Sequence, residues 1–109
     1  MEFQTFSFED ALEICDDFSD LVDTEFKLPN MPMVLVEHVV ACPAGSDDRS
    51  LFISKFLESK DPEMSLKFFQ GEEYGAIIIT TNNQGVFHFI DILDYVREKG
   101  LNYNFPRSY

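Results

Sequence analysis

The chain has 109 residues, with 20 carboxylates against eight Lys and Arg, and its formal net charge is −12. This length corresponds to one domain with a single hydrophobic core. Because nucleic acids and anionic membranes are bound through Lys and Arg, the acidic balance argues against direct contact with either and favours a basic protein partner.

The N-terminal segment carries most of the net negative charge and is predicted to be a helix. The first 26 residues contain nine carboxylates and no Lys or Arg. Ser7 is the predicted N-cap because acids follow it within three residues. Apolar residues then recur at helical spacing, at Ala11, Ile14, Cys15, Phe18, Leu21 and Val22. We therefore predict an amphipathic helix from Ser7 to about Asp23, followed by a turn over residues 26–32.

Residues 33–59 are predicted to form a strand and a second helix. Met33 to Ala41 is almost continuously apolar and rich in β-branched residues, which is typical of a buried strand. A Pro-Ala-Gly sequence ends it. Ser46, Asp47 and Asp48 are candidate caps for a second helix, which apolar i,i+4 pairs predict to run to about Ser59. Residues 61–70 combine a helix start with strand-like alternation, so both structures stay open there.

The last third of the chain is predicted to be a β-hairpin followed by a helix. The hairpin strands are Ala76 to Thr81 and Val86 to Ile90, joined by an Asn-Asn-Gln-Gly turn. The helix runs from Ile92 to Lys99, with Asp91 as its N-cap and a Gly at its C-terminal end. Beyond it, alternating apolar residues in 101–105 favour an edge strand.

These elements predict a single α+β domain over residues 1–109. Three helices are expected to pack on a small mixed sheet of three to five strands, in two layers. Cys15 and Cys42 lie beside apolar residues and form no disulfide framework, so we expect two reduced core thiols. Because residues 1–20 also lack a signal-peptide pattern, we expect a cytoplasmic protein.

Residues 42–49, Cys-Pro-Ala-Gly-Ser-Asp-Asp-Arg, stand between a predicted strand and a predicted helix. They resemble the phosphate-binding loop of cysteine-dependent phosphatases. The resemblance implies that Cys42 is an attacking thiolate and that Arg49 binds the phosphate oxygens. Six residues separate the two here, where that family has five, and Asp47 and Asp48 would repel a phosphate. The phosphatase-like loop is one alternative function.

Residues 75–96 resemble the closing strand-strand-helix of CBS nucleotide-binding modules. The resemblance rests on the sequences Ala76–Ile79, Asn83–Val86 and Asp91–Leu93. It implies a nucleotide or small-molecule site in which Asp91 contacts a ribose. A nucleotide-binding module is therefore a second alternative.

The sequence predicts no metal, no cofactor and no enzymatic activity. His38 and His88 lie in predicted strands and Cys42 follows His38 by four residues, but no ligand spacing typical of zinc occurs. The glycine-rich loops of nucleotide-binding proteins and the nucleophile motifs of hydrolases are also absent from the sequence.

The acidic face of the first predicted helix is the strongest functional feature that remains. Its acids are spaced at i, i+4, i+7, i+11 and i+14 and would line one stripe, at Glu9, Glu13, Asp16, Asp20 and Asp23. Like charges at i,i+4 each cost about 0.2–0.5 kcal/mol of helix stability. A stripe that carries this cost is either a solvated face or a surface for a basic partner.

We therefore expect a non-enzymatic interaction protein of inhibitor, immunity or accessory type. Its partner would be a basic protein, such as a nucleic-acid-binding protein or a toxin, with no direct contact to nucleic acid or membrane. The predicted partner-binding residues are Glu9, Glu13, Asp16, Asp17, Asp20 and Asp23. The sequence leaves the oligomeric state open.

Overall fold

The computed structural model describes residues 5–59 and 73–105, in which three α-helices and four strands occur. The helices are α1 (Phe8–Asp17), α2 (Ser46–Ser59) and α3 (Ile92–Lys99), and a 3-10 turn covers Ser19–Leu21. The strands are β1 (Glu25–Phe26), β2 (Val34–Pro43), β3 (Tyr74–Thr81) and β4 (Phe87–Asp91). The segment 61–70, where helix and strand both stayed open, lies outside the described residues.

The four strands form one curled sheet in the order β1-β2-β3-β4. Each of the three described strand pairs is antiparallel, so this part of the sheet is not the mixed sheet that the sequence predicted. The connection from β2 to β3 carries α2, whereas β3 and β4 form the predicted hairpin. The single α+β domain is confirmed.

Strand β3 is buried on both of its faces. Five consecutive residues, Ala76–Thr80, are buried. Because neighbouring residues of a strand point to opposite faces, helices must cover the sheet on both sides. On one side, the ring of Phe56 in α2 lies 5.2 Å from that of His38, which pairs with Ile79.

Helices α1 and α3 lie on the other side of the sheet. The ring of Phe8 in α1 contacts that of Tyr74, at 4.9 Å between centroids, and Tyr74 alternates with Ala76 and Ile78 on this face. Tyr95 of α3 makes an edge contact with Phe18, which directly follows α1. The sheet therefore lies between two layers of helices, which makes three layers where the sequence predicted two.

The start of α1 is confirmed, and its predicted end is wrong. Ser7 is the N-cap, and its hydroxyl oxygen accepts a hydrogen bond from the Asp10 N–H at 3.2 Å. The helix ends at Asp17 rather than near Asp23, because its last turn consists of poor helix formers and holds no basic residue to balance the dipole. As a result Val22, predicted to face the core, is 37% exposed.

Three other boundaries differ from the sequence predictions. The turn predicted over residues 26–32 is preceded by β1, whose two residues are too few to show an alternating pattern. Strand β2 continues to Pro43, because its last residues remain paired with β3. Residues 101–105 form no strand, and their aromatic side chains pack on other aromatic rings instead.

Asp91 connects two helices and provides a test of the fold. Its Oδ1 accepts the Leu93 N–H at 2.9 Å as the N-cap of α3, and its Oδ2 lies 3.6 Å from the Arg49 guanidinium of α2. We predict that Asp91→Ala lowers the free energy of unfolding by about 1–2 kcal/mol, since it removes the cap as well as the ion pair.

Asp91→Asn is the matched comparison, because Asn is as good an N-cap as Asp and removes only the charge. In a urea titration followed by circular dichroism, Asp91→Asn should lower the free energy of unfolding clearly less than Asp91→Ala does. Asp94→Asn, at an exposed pair with Arg97, should stay within about 0.5 kcal/mol of the native protein. Equal losses for the two Asp91 variants would contradict the capping role.

Candidate functional site

The six predicted partner-binding carboxylates all lie at the protein surface. Four belong to α1, one lies in the 3-10 turn and one lies in the loop before β1, and all six side chains are exposed. We call this set the acidic surface, and it consists of Glu9, Glu13, Asp16, Asp17, Asp20 and Asp23. Exposure is the condition that a contact surface for another protein must meet.

The outward face of α1 combines charge with one apolar side chain. Ala11, Ile14 and Cys15 turn to the core and are buried. Because α-helical residues three and four apart lie on one side, the acids of α1 are grouped on the opposite face. Leu12 lies beside them and is 48% exposed, so the acidic surface offers an apolar contact as well.

The predicted stripe on a single continuous helix is wrong beyond Asp17. Asp20 lies in the 3-10 turn, and Asp23 adopts a left-handed backbone conformation with φ of 69°. The N–H of Asp23 donates to the Val36 carbonyl at 2.9 Å, which turns the chain toward the sheet. The spacings i+11 and i+14 therefore no longer place these two acids on the face of α1, and the acidic surface spans a helix, a turn and a loop.

No cation neutralises the acidic surface within the described part of the chain. Among the described residues, ion pairs join Arg49 to Asp91 and Arg97 to Asp94, and neither pair includes a residue of the acidic surface. The Lys27 ammonium donates to the Met31 carbonyl at 2.8 Å. Carboxylates without a nearby cation keep their full charge toward an approaching molecule.

Asp17 is held by a neutral group instead of a cation. The Tyr103 hydroxyl donates to its Oδ2 at 2.6 Å, and the Tyr103 ring packs on Phe18 at 4.9 Å between centroids. Burial, together with the hydrogen bond and charge of Asp17, raises the pKa of Tyr103 above its usual range. The contact fixes one carboxylate of the acidic surface in place. Sequence reasoning missed it because 86 positions separate the two residues.

The loop after β2 does not have the geometry of a phosphatase site. The Cys42 thiol is fully buried, and burial raises its pKa to about 12. The Arg49 charge lowers this pKa and the Asp91 charge raises it, each by less than burial does. An attacking thiolate needs the opposite, a lowered pKa and access to substrate. Arg49 is also paired with Asp91 rather than left free to bind an oxyanion.

The strand-strand-helix that resembles CBS modules is present as β3, β4 and α3. Its Asp91, however, uses one oxygen to cap α3, and the other faces Arg49. A ribose hydroxyl would have to compete with both contacts. Both carboxylate oxygens of Asp91 therefore have contacts that stabilise the fold, and these contacts account for an Asp at this position.

The two histidines are also part of the packed structure. The His38 ring makes an edge contact with Phe56, and His88 Nε2 is buried without a hydrogen-bond partner. Across residues 5–59 and 73–105, no group of three His, Cys, Asp or Glu side chains is arranged to hold a metal ion. In the same residues, none of the helices has the length and apolar content needed to cross a membrane.

An open groove of about 640 Å³ lies at one end of the sheet, on the side that α2 partly covers. Its lining combines two carboxylates with apolar and polar neutral side chains, among them Glu25, Met33, Leu35, Glu37, Thr81 and Asn82. Sequence reasoning missed the groove because these residues meet only through strand pairing. No described Lys or Arg forms an ion pair with either carboxylate.

Comparison of the chain with protein-family models, curated proteins and solved structures finds no match in any of the three. Its function must therefore be argued from the residues and surfaces described above.

The two buried thiols predict how stability depends on pH. Burial raises the pKa of both Cys15 and Cys42 to about 12, whereas thiols in the unfolded chain ionise near 9. Their raised folded-state pKa values stabilise the fold fully below pH 9, and this contribution is lost as the pH rises toward 12. Between pH 8 and pH 10 we expect a loss of about 1 kcal/mol for each thiol.

Urea titrations of the native protein and of Cys42→Ala across this pH range measure the effect. The variant starts from a lower stability because it loses packing, but its stability should fall less steeply between pH 8 and pH 10. Equal slopes for the two proteins would contradict the assignment. Between pH 6 and pH 8 the difference between them should stay constant.

Proposed function

We propose that the protein is a non-enzymatic interaction protein of inhibitor, immunity or accessory type. Its acidic surface would bind a basic site on a partner protein. The observation that carries the proposal is the set of six exposed carboxylates that no described cation neutralises. A surface of one sign attracts a partner of the opposite sign and raises the rate of encounter.

The cost of the acidic surface to the fold supports the same proposal. Glu9 and Glu13 are four residues apart on α1, where like charges lower helix stability by about 0.2–0.5 kcal/mol. Asp16 and Asp17 are poor helix formers at the negative end of the helix dipole. Within the described structure, no contact of Asp16 offsets this cost. A partner that supplies cations would offset it.

The contacts around the acids favour a specific surface over a merely solvated one. Asp17 is oriented by the Tyr103 hydroxyl, and an oriented carboxylate loses less conformational freedom when a partner binds. Leu12 gives the charged face an apolar point of contact. Binding surfaces commonly combine such an apolar contact with surrounding polar groups.

The partner is expected to present Lys and Arg around a cleft, as a nuclease, a nucleic-acid-binding protein or a basic toxin would. Cys15 and Cys42 are free and buried, which fits a protein that works in the reducing cytoplasm.

A charge-removal variant tests the proposal. We predict that Asp16→Asn, Asp20→Asn and Asp23→Asn together abolish capture of a basic partner from a lysate of the source organism. Asn is suited to position 23 because it tolerates the left-handed backbone there. Capture by the native protein should also fall steeply between 50 and 500 mM salt, about the range over which screening grows.

The matched control changes the same number of charges elsewhere on the exposed surface. It combines Glu58→Gln, Glu73→Gln and Glu98→Gln, three exposed residues outside the acidic surface. This control should still capture the partner. Capture that survives both the triple Asp variant and high salt would refute the proposed function, and so would an equal loss in the control.

A further inference from the structure

The groove at the end of the sheet is built by strand pairing. Glu25 of β1 pairs with Leu35 of β2, and Leu35 pairs with Thr81 of β3. Paired residues point to the same face, so these three side chains form a row across three strands. The covering helix α2 contacts the sheet at His38, whereas the row lies further toward the start of β2.

The carboxylate of Glu37 is held in this groove in a fixed orientation. The pairing of β2 with β3 shifts register between Val36 and His38, which leaves Glu37 as the extra residue. Such a bulge redirects a side chain. The Thr81 hydroxyl donates to Glu37 Oε1 at 2.7 Å, so the second oxygen is available to a ligand.

The rim of the groove at the β3–β4 turn is also well defined. The Asn82 Oδ1 accepts the N–H groups of Gln84 and Val86, at 2.9 and 3.0 Å. Gly85 has a positive φ of 79°, which the turn requires and which glycine adopts without strain. A rigid rim lets a ligand bind without first ordering the turn.

Two apolar side chains of the groove lining are open to solvent. Met33 is 53% exposed and Leu35 is 39% exposed, while Val86 beside the turn is 49% exposed. Exposed apolar side chains grouped in this way often mark a contact site. The groove therefore offers two kinds of contact, exposed apolar side chains and carboxylates.

We propose that the groove binds a basic, extended segment of the partner protein. A Lys or Arg of the segment would lie between Glu25 and Glu37, and a neighbouring apolar side chain would contact Met33 and Leu35. The charge of the groove selects a cationic occupant, because both ionised groups in its lining are carboxylates. This inference rests on the proposed function and assigns the partner a second point of contact.

The shape of the groove favours a peptide segment over a small molecule. Small-molecule sites enclose most of the ligand surface. Here Met33 and Leu35 remain widely exposed, so a small ligand would stay largely in water. Asp23, which belongs to the acidic surface, donates its N–H to Val36 next to Glu37. Asp23 of the acidic surface therefore adjoins the groove at this edge of the sheet, although α1 itself lies on the other side of the sheet.

The test uses the full chain, labelled with ¹⁵N, and a blocked hexapeptide of alternating Leu and Arg as the probe. Binding should shift the amide resonances of residues 33–37 and 81–85. A hexapeptide of alternating Leu and Glu should produce no shifts there. Absence of shifts at about millimolar Leu-Arg peptide, which would place the dissociation constant far above that range, overturns the inference.

Two groove variants and one control sharpen the result. Glu37→Gln keeps an acceptor for Thr81 and removes only the charge, and it should weaken peptide binding about tenfold. Leu35→Thr should weaken it by a similar factor, since it removes the apolar contact and retains a residue suited to a strand. Glu98→Gln, an equal change of charge on exposed α3, should weaken it less than about twofold.

The outcomes separate this inference from the proposed function. If the triple Asp variant keeps the groove shifts and also still captures the partner, that result would support the groove as a binding site and refute partner binding by the acidic surface. Shifts confined to residues 9–23, or insensitivity to both groove variants, would overturn the groove alone. Free arginine amide binding as tightly as the peptide would replace the peptide segment with a small cationic ligand and also overturn it.

Discussion

The burial of β3 on both faces is the constraint on which the rest of this structure depends. Ile77, Ile78 and Ile79 are all fully buried, and each contributes about 1.5–3 kcal/mol through removal of its side chain from water. This burial requires β2 and β4 as neighbours and helices on both faces. The outer face of α1 and the end of the sheet beyond α2 are among the regions that remain exposed. Both candidate contact surfaces lie there, outside the buried core.

Local rules predicted the elements that depend on neighbouring residues, such as the Ser7 and Asp91 caps and the apolar strands. The local rules failed where a contact between residues far apart in the sequence determines the structure. Strand β1 exists because β2 lies alongside it, and the left-handed turn at Asp23 is held by its N–H bond to the Val36 carbonyl. The acidic residues of the candidate site could be read from composition, since charge needs no fold. The groove could not, because strand register brings Glu25, Leu35 and Thr81 together.

The two candidate surfaces share one electrostatic arrangement. Asp17 receives its hydrogen bond from the Tyr103 hydroxyl, and Glu37 receives one from the Thr81 hydroxyl. A hydroxyl orients a carboxylate without neutralising it, whereas a Lys or Arg would do both. Each surface thus holds a carboxylate in position without pairing it with a described cation. Such an arrangement suits recognition of a cationic partner better than a role in internal ion pairing.

The aromatic residues after α3, which we call the tail, pack against both ends of α1. Phe105 stacks on Phe6 at 5.9 Å between ring centroids, and Tyr103 packs on Phe18, so the tail contacts residues at both ends of α1. Helix α1 thus packs between the sheet and this tail. Because these contacts hold both ends of α1, we expect its local opening to cost more free energy than that of a helix without them. These contacts restrain α1 at both ends, so that binding through its outer face would cost its residues less motional freedom.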